Sequence, residues 1–167
     1  MWRPGAAQLL GCIAASLAAA GVLAAEHSLV EAVRVGDLAR VRALLEAGVP
    51  ASIRDSLGGT VLHDAAWRGN VPMIRLLLAH GADPNARHLE GGSTPLHYAV
   101  VTHQLEAVRQ LLAAGADPLL PTGSGTTALH MAAGRGYVDL IDVLVSAGVP
   151  VDLPDRSGLT PLAEASW

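Results

Sequence analysis

Four short segments of this chain open alike. TVLHDAA begins at Thr60, TPLHYAV at Thr94, TALHMAA at Thr127 and TPLAEAS at Thr160, spaced 34, 33 and 33 residues apart. A glycine keeps the same period at Gly48, Gly81, Gly115 and Gly148. The one extra residue falls between Gly81 and Thr94, in ARHLEGGS, so it lengthens a loop and leaves the flanking segments in phase. A period near 33 admits one supersecondary unit per repeat. A unit that small cannot bury its apolar face alone and must stack on copies of itself.

Between the markers the apolar residues keep helical time. Leu38, Val41, Leu44 and Leu45 recur as Val71, Ile74, Leu77 and Leu78, then as Leu105, Val108, Leu111 and Leu112, then as Val138, Ile141, Leu144 and Val145. Steps of three, three and one place each set on one helix face. The glycine that follows suits a helix C-terminus, where positive φ is needed. Each unit is therefore a short helix, a tight turn, a second helix and a loop. The composition agrees: 51% of residues are apolar but only 3% are aromatic and none is Phe. That weighting towards Ala, Leu and Val suits thin, closely packed helices better than a β-sandwich.

These features resemble ankyrin repeats. The TPLHxAA signature stands here as Thr94-Pro95-Leu96-His97-Tyr98-Ala99 and its copies, with Gly81-Ala82-Asp83-Pro84-Asn85 and Leu76-Leu77-Leu78 as further matches. The resemblance covers residues 27–167, in units of about 27–59, 60–93, 94–126 and 127–159 with a partial unit at 160–167. It implies an all-α ankyrin-repeat solenoid with projecting loops or β-hairpins. It also implies a structural role for Thr60, Thr94 and Thr127 with His63, His97 and His130, which in the family hydrogen-bond the backbone at helix starts and between loops. The first unit departs from the pattern. It lacks the Thr and His and begins Ser28-Leu29-Val30-Glu31, a capping box that predicts a helix start. The last unit stops within its first helix at Trp167: these eight residues lid the stack, fray or are covered by a partner, and Trp167, equivalent to Trp67, either extends the face or lids the end, the lid being favoured.

Residues 1–25 are of another kind. From Pro4 to Ala25 there is no charge, the centre LLGCIAASLAAAGVLAA is apolar, and small residues at Ala24 and Ala25 resemble a cleavage site. We read a secretory signal, which makes the chain exported, periplasmic or secreted, with a bacterial periplasm favoured. An uncleaved anchor is an alternative, although a 17-residue apolar run is short for a membrane span. A lipobox at Leu9-Leu10-Gly11-Cys12 is a second alternative, with its Cys set unusually early. Cleavage would remove the single Cys and Arg3, leaving 10 basic and 15 acidic residues, or −5, from a chain whose net charge is −4.

Seven histidines raise the question of metal. Equivalent side chains in stacked helices lie roughly 8–10 Å apart, whereas zinc ligands reach to about 2.1 Å, so successive signature histidines cannot share an ion. His27, His80, His88 and His103 are scattered. His103 stands where Gly36, Gly69 and Gly136 occupy the equivalent turn. There is no CxxC, HExxH or Gly-x-Ser-x-Gly pattern, and a P-loop needs a Lys, of which this chain has none. Asp139 and Asp142 read as a solvated helix face. No set of residues converges on a reaction, so the expectation is a non-enzyme without cofactor, metal or small-molecule substrate. All basic residues are Arg and none forms a block, so nucleic acid is not an expected partner.

What varies between units is where specificity can be written. On the first helices these positions are Glu31, Arg34 and Val35, then Asp64, Trp67 and Arg68, then Tyr98, Val101 and Thr102, then Met131, Gly134 and Arg135. Loop positions include Arg54, Leu57, Arg87, His88, Leu89 and Glu90. By the resemblance, a protein partner binds the concave first-helix face and the loop tips. The expected contacts are Trp67, Arg68, Tyr98, Met131 and Arg135, with Asp64, Arg54, Arg87, His88 and Leu89. Trp, Tyr and Arg are the side chains that most often carry binding energy. In the bland alternative Trp67 and Tyr98 merely pack against neighbouring loops. A regulator, inhibitor or protective accessory of an exported enzyme, and a membrane-anchored scaffold, are the alternative functions.

Overall fold

The computed structural model describes residues 6–165, with side chains from residue 21 onward. Among these residues the chain is a run of helix pairs. They are α1 (Ala6–Val35) with α2 (Leu38–Glu46), α3 (Val61–Trp67) with α4 (Val71–Ala79), α5 (Pro95–Val101) with α6 (Leu105–Ala113), and α7 (Ala128–Ala133) with α8 (Val138–Ser146). The first turn of a further inner helix, α9 (Pro161–Glu164), follows. The inner helices α1, α3, α5, α7 and α9 touch in sequence, and the outer helices α2, α4, α6 and α8 stack behind them. The fold is the all-α solenoid that the repeat predicts. The projecting loops are turns: the described residues contain no strand, and a single isolated bridge joins Arg54 to Thr60.

Local chemistry sets the helix ends. Each inner helix from α3 onward starts at a Thr in extended conformation, Thr60, Thr94, Thr127 and Thr160. The outer helices α2 and α4 are capped by side chains, Asp37 accepting from Arg40 N–H and Asn70 from Met73 N–H. After each outer helix a glycine takes positive φ, 83° at Gly81, and the next N–H returns to the helix, as Ala82 N–H does to Leu77 O at 3.0 Å. That closure satisfies a carbonyl the helix would leave open.

The core runs the length of the stack. Leu29, Leu62, Leu96 and Leu129 line its inner side, and Ile74, Leu77, Val108, Leu111, Leu140 and Leu144 its outer side, all at most 1% exposed. Ala65, Ala66, Ala99 and Ala132 are as deeply buried, which lets inner helices approach closely. In α8 the apolar stripe is half open. Val138 is 66% exposed and Val145 38%, because among the described residues no further outer helix packs on it.

One expectation at the N-terminus meets a different geometry. The helix does not start at Ser28: α1 runs unbroken from Ala6, through the expected boundary at residue 25. The Ala- and Leu-rich segment is a strong helix former and contains no proline after Pro4, so nothing stops the helix before the first repeat. Ser28 instead accepts a long hydrogen bond from Arg40, and the Glu31 carboxylate lies 3.8 Å from Arg34. Among the described residues no helix is long and apolar enough to cross a membrane. The Cys12 side chain and Trp167, with its expected lid role, lie outside the described residues.

Candidate functional site: the concave face and loop tips

The face is built on a Thr–His join, complete in the second and fourth units. Thr60 N–H donates to His63 Nδ1 at 3.1 Å and the Thr60 hydroxyl lies 2.8 Å from the same nitrogen. Accepting at Nδ1 puts the ring proton on Nε2, which donates to Ser93 O at 3.1 Å, the carbonyl just before Thr94 of the next unit. His130 repeats this, bonding Thr127 on one side and Leu159 O at 3.0 Å on the other. His97 keeps the Thr94 half, but its buried Nε2 has no hydrogen-bond partner among the described residues. The equivalent carbonyl, Thr126 O, accepts from Thr122 N–H, and its proximity to the His97 ring opposes the larger effect of burial. Burial pushes both His63 and His97 down to about 4. In the first unit Val30 holds the histidine's position.

On this frame the variable residues form two groups. The first is aromatic. Trp67 is 49% exposed and meets Tyr98 edge-on at 5.8 Å. Tyr98 in turn lies edge-on to His63 at 5.1 Å and stacks on His88 at 6.0 Å. Burial raises the Tyr98 phenol above its ordinary range, and the Asp55 and Asp64 charges add to that. So Trp67 offers a free ring face, whereas Tyr98 is half committed to covering His63. Met131 packs partly on the core in the next unit, and the exposed Arg135 bonds Met131 O. Arg68, beside Trp67, is exposed.

The second group is ionic and internal. Arg34 reaches Asp55 at 2.7 Å and Asp64 at 3.3 Å, tying the first unit to the second. Asp64, expected to face a partner, is thus engaged within the chain. Arg54 and Arg87 are likewise occupied: Arg54 bonds Gly58 O at 2.7 Å and Arg87 O at 2.9 Å, while Arg87 bonds Pro121 O. They stitch each loop to the next. The lengthened loop takes part on both sides. Leu89 N–H donates to Gly58 O, and Gly91 O accepts from Gly123 N–H at 2.6 Å. Gly58 has φ 86°, and a Cβ there would sit 2.7 Å from that of Leu89, so only glycine lets the longer loop lie down. This packing carries His88 over Tyr98 and leaves Leu89 72% exposed at the tip.

Of the residues expected to bind, the structure brings Trp67, Tyr98 and His88 into one cluster, with Arg68 and Leu89 exposed and Met131 and Arg135 in a neighbouring unit. Asp64, Arg54 and Arg87 have partners within the chain. Sequence reasoning did not find the pairing of Arg34 with Asp55. Its signal, opposite charges 21 residues apart, has no meaning until the stack is built. His103 is also more than a surface ring: it stacks on Tyr137 at 4.0 Å and bonds Asp139 at 2.8 Å.

Stacked helix pairs, a Thr–His join passed from unit to unit and a variable face above it define a solenoid scaffold. The model for ankyrin repeats, three copies, matches residues 29–122 and 104–167, and the chain belongs to this family. Over 71 residues it is 46% identical to the 2-5A-dependent ribonuclease of Mus musculus, covering 42% of this chain and 10% of that protein. Over 65 residues it is 46% identical to zygote-specific protein 3 of Chlamydomonas reinhardtii, 39% of this chain and 17% of that one. An ankyrin repeat-containing protein of Treponema pallidum (strain Nichols) is 42% identical over 60 residues, 36% and 20% of the two chains. The chain thus spans between a tenth and a fifth of the length of these relatives.

Proposed function

We propose that this is an exported, non-enzymatic binding protein that holds a protein partner against its concave face and loop tips, with residues 1–25 directing export. The observation that carries the reading is Trp67. A large ring half exposed on the inner-helix face, with Leu89 and Leu57 still more exposed at the loop tips, is apolar surface that the scaffold does not use. Aromatic anchors of this kind are where binding energy concentrates. Export rests on the apolar, uncharged run closed by Ala24 and Ala25. Val22 and Leu23 are 56% and 66% exposed, so these two side chains take little part in the packing, and after cleavage Ser28–Glu31 would stand at a helix start.

The test is capture of partners by the tagged chain expressed with residues 1–25 in place, compared with a Trp67→Ala, Leu89→Ala variant. Both side chains are exposed, so the variant should keep its stability within about 1 kcal/mol while losing the partner. Undiminished capture would move the binding face elsewhere. Sequencing the captured chain's N-terminus should find it near Ala25 or Glu26. Retention by carbonate-washed membranes with Met1 in place would favour the anchored scaffold instead.

A further inference from the structure

The open end of the stack repeats a joint that the chain makes elsewhere. Each outer helix rests on the one before it, α6 on α4 and α8 on α6, and among the described residues no helix rests on α8 in turn. The inner place beyond α7 is taken by the turn of α9, so the outer place stands open. The groove left there is lined by Leu129, Ala133, Ile141, Val151, Pro161 and Leu162. Leu62, Leu96 and Leu129, the equivalents of Leu162, are at most 1% exposed, each beneath the outer helix of its own unit, whereas Leu162 is 77% exposed.

The polar positions that cross this joint are visible in the inner units. Arg75 of α4 donates to the Gln110 amide oxygen of α6 at 2.6 Å. Asn85, after α4, donates to Gly115 O and accepts from Asp117 N–H at 2.7 Å, just past the end of α6. The equivalents of Arg75 and Asn85 in the last pair are Asp142 and Asp152. The change at 142 is a reversal of sign, since the first three outer helices carry Arg42, Arg75 and Arg109 there. Both carboxylates are exposed, and neither has a hydrogen-bond or ion-pair partner among the described residues. The other charges nearby have contacts within the chain: Asp139 with His103, Arg135 with Met131 O, Arg156 with Gly123 O, and Glu164 against Gly134. A second copy fits this place badly. Stacked head to tail it needs its α1 where α9 already lies, and end to end it sets Asp142 against Asp142.

We infer that the open place takes an amphipathic helix of a partner protein, apolar where it meets α7, α8 and α9 and basic where it meets Asp142 and Asp152. This surface is separate from the concave face and does not depend on it. The pattern of the occupant follows from α6, which fills the equivalent place. Apolar residues stand first, fourth, seventh and eighth, as Leu105, Val108, Leu111 and Leu112 do, and an Arg or Lys stands sixth, in the place of Gln110. A further donor follows the helix end, in the place of Asp117 N–H. Apolar burial over Leu162 and Ile141 supplies the affinity, and the two carboxylates select among helices.

The experiment selects binders to the full chain from a library of 15-residue helical peptides and titrates them by fluorescence anisotropy. The inference expects the apolar spacing of α6 with Arg or Lys in the sixth place. Binding should weaken about ten-fold on Leu162→Asp and about five-fold on Asp142→Arg. Peptides remade with Glu in the sixth place should regain binding to the Asp142→Arg chain. Both side chains are exposed, so the variants should fold normally, which circular dichroism checks. Trp67→Ala should leave binding unchanged. Peptides lost on Trp67→Ala and indifferent to Leu162→Asp would overturn this inference and leave the concave face standing. Peptides that need Leu162 but ignore the charge at position 142 would overturn the basic reading. An empty selection, or a chain that sediments as a dimer and turns monomeric on Leu162→Asp, would overturn the inference as well.

Discussion

His63 and His97 differ by one hydrogen bond, and that difference can be measured. Both rings accept from the preceding Thr at Nδ1, but His63 also donates to Ser93 O, whereas the His97 Nε2 is buried and unpaired. His63→Ala should therefore cost about 1 kcal/mol more than His97→Ala, the net worth of one hydrogen bond. Urea unfolding of the two variants in one buffer measures it, and equal costs would contradict the broken join in the third unit. The same burial fixes a pH response. In the unfolded chain these rings titrate near the ordinary value of about 6.5, and in the folded chain at about 4. Between those values the unfolded chain binds more protons, so lowering the pH through that window removes stability. The loss is at most about 1.4 kcal/mol per pH unit for each ring. Unfolding midpoints at pH 7, 5.5 and 4.5 should fall in order; a flat series would mean that these histidines are not buried and neutral.

At the scale of the element, the inner turns show what the repeat dictates and what it leaves free. Gly36, Gly69 and Gly136 make this turn at positive φ, and His103 makes it at 56°, the one non-glycine residue in that region among those described. The ring is held in place by Tyr137 and by Asp139, whose carboxyl its hydrogen bond pulls below the ordinary range. Alanine at 103 would keep the strain and lose the contacts, while glycine would lose both strain and contacts. His103→Gly should be more stable than His103→Ala by about 1 kcal/mol, as thermal unfolding can report. The opposite order would show that the turn is not left-handed in solution. Periodicity made the helix pairs, their ends and the signature histidines legible, because each depends on residues within one unit. Pairings between units were not legible. His103 to Asp139, Arg34 to Asp55 and the lengthened loop lying on Gly58 join positions whose nearness exists only once the units stack. The start of α1 was not legible for a related reason. A capping box at Ser28 competes with an upstream segment that is itself a strong helix former, and in the full chain the continuous helix is what forms.

Across the whole molecule, one side of the solenoid differs from the other. The outer helices and their turns supply the stack's second layer, and their unit-to-unit contacts, such as Arg75 to Gln110 at 2.6 Å, close within the chain. The inner side leaves Trp67, Arg68, Leu89 and Arg135 exposed, and the partner is proposed to bind there. The most direct measurement places a photo-crosslinking amino acid at Val101, in the middle of the inner face, or at Arg109, on an outer helix, and irradiates the tagged chain in cells that express it with residues 1–25 intact. The account predicts one dominant adduct from position 101 and little from 109, with the adduct lost when Trp67 and Leu89 are alanine. Equal yields from the two positions, or an adduct from 109 alone, would contradict it.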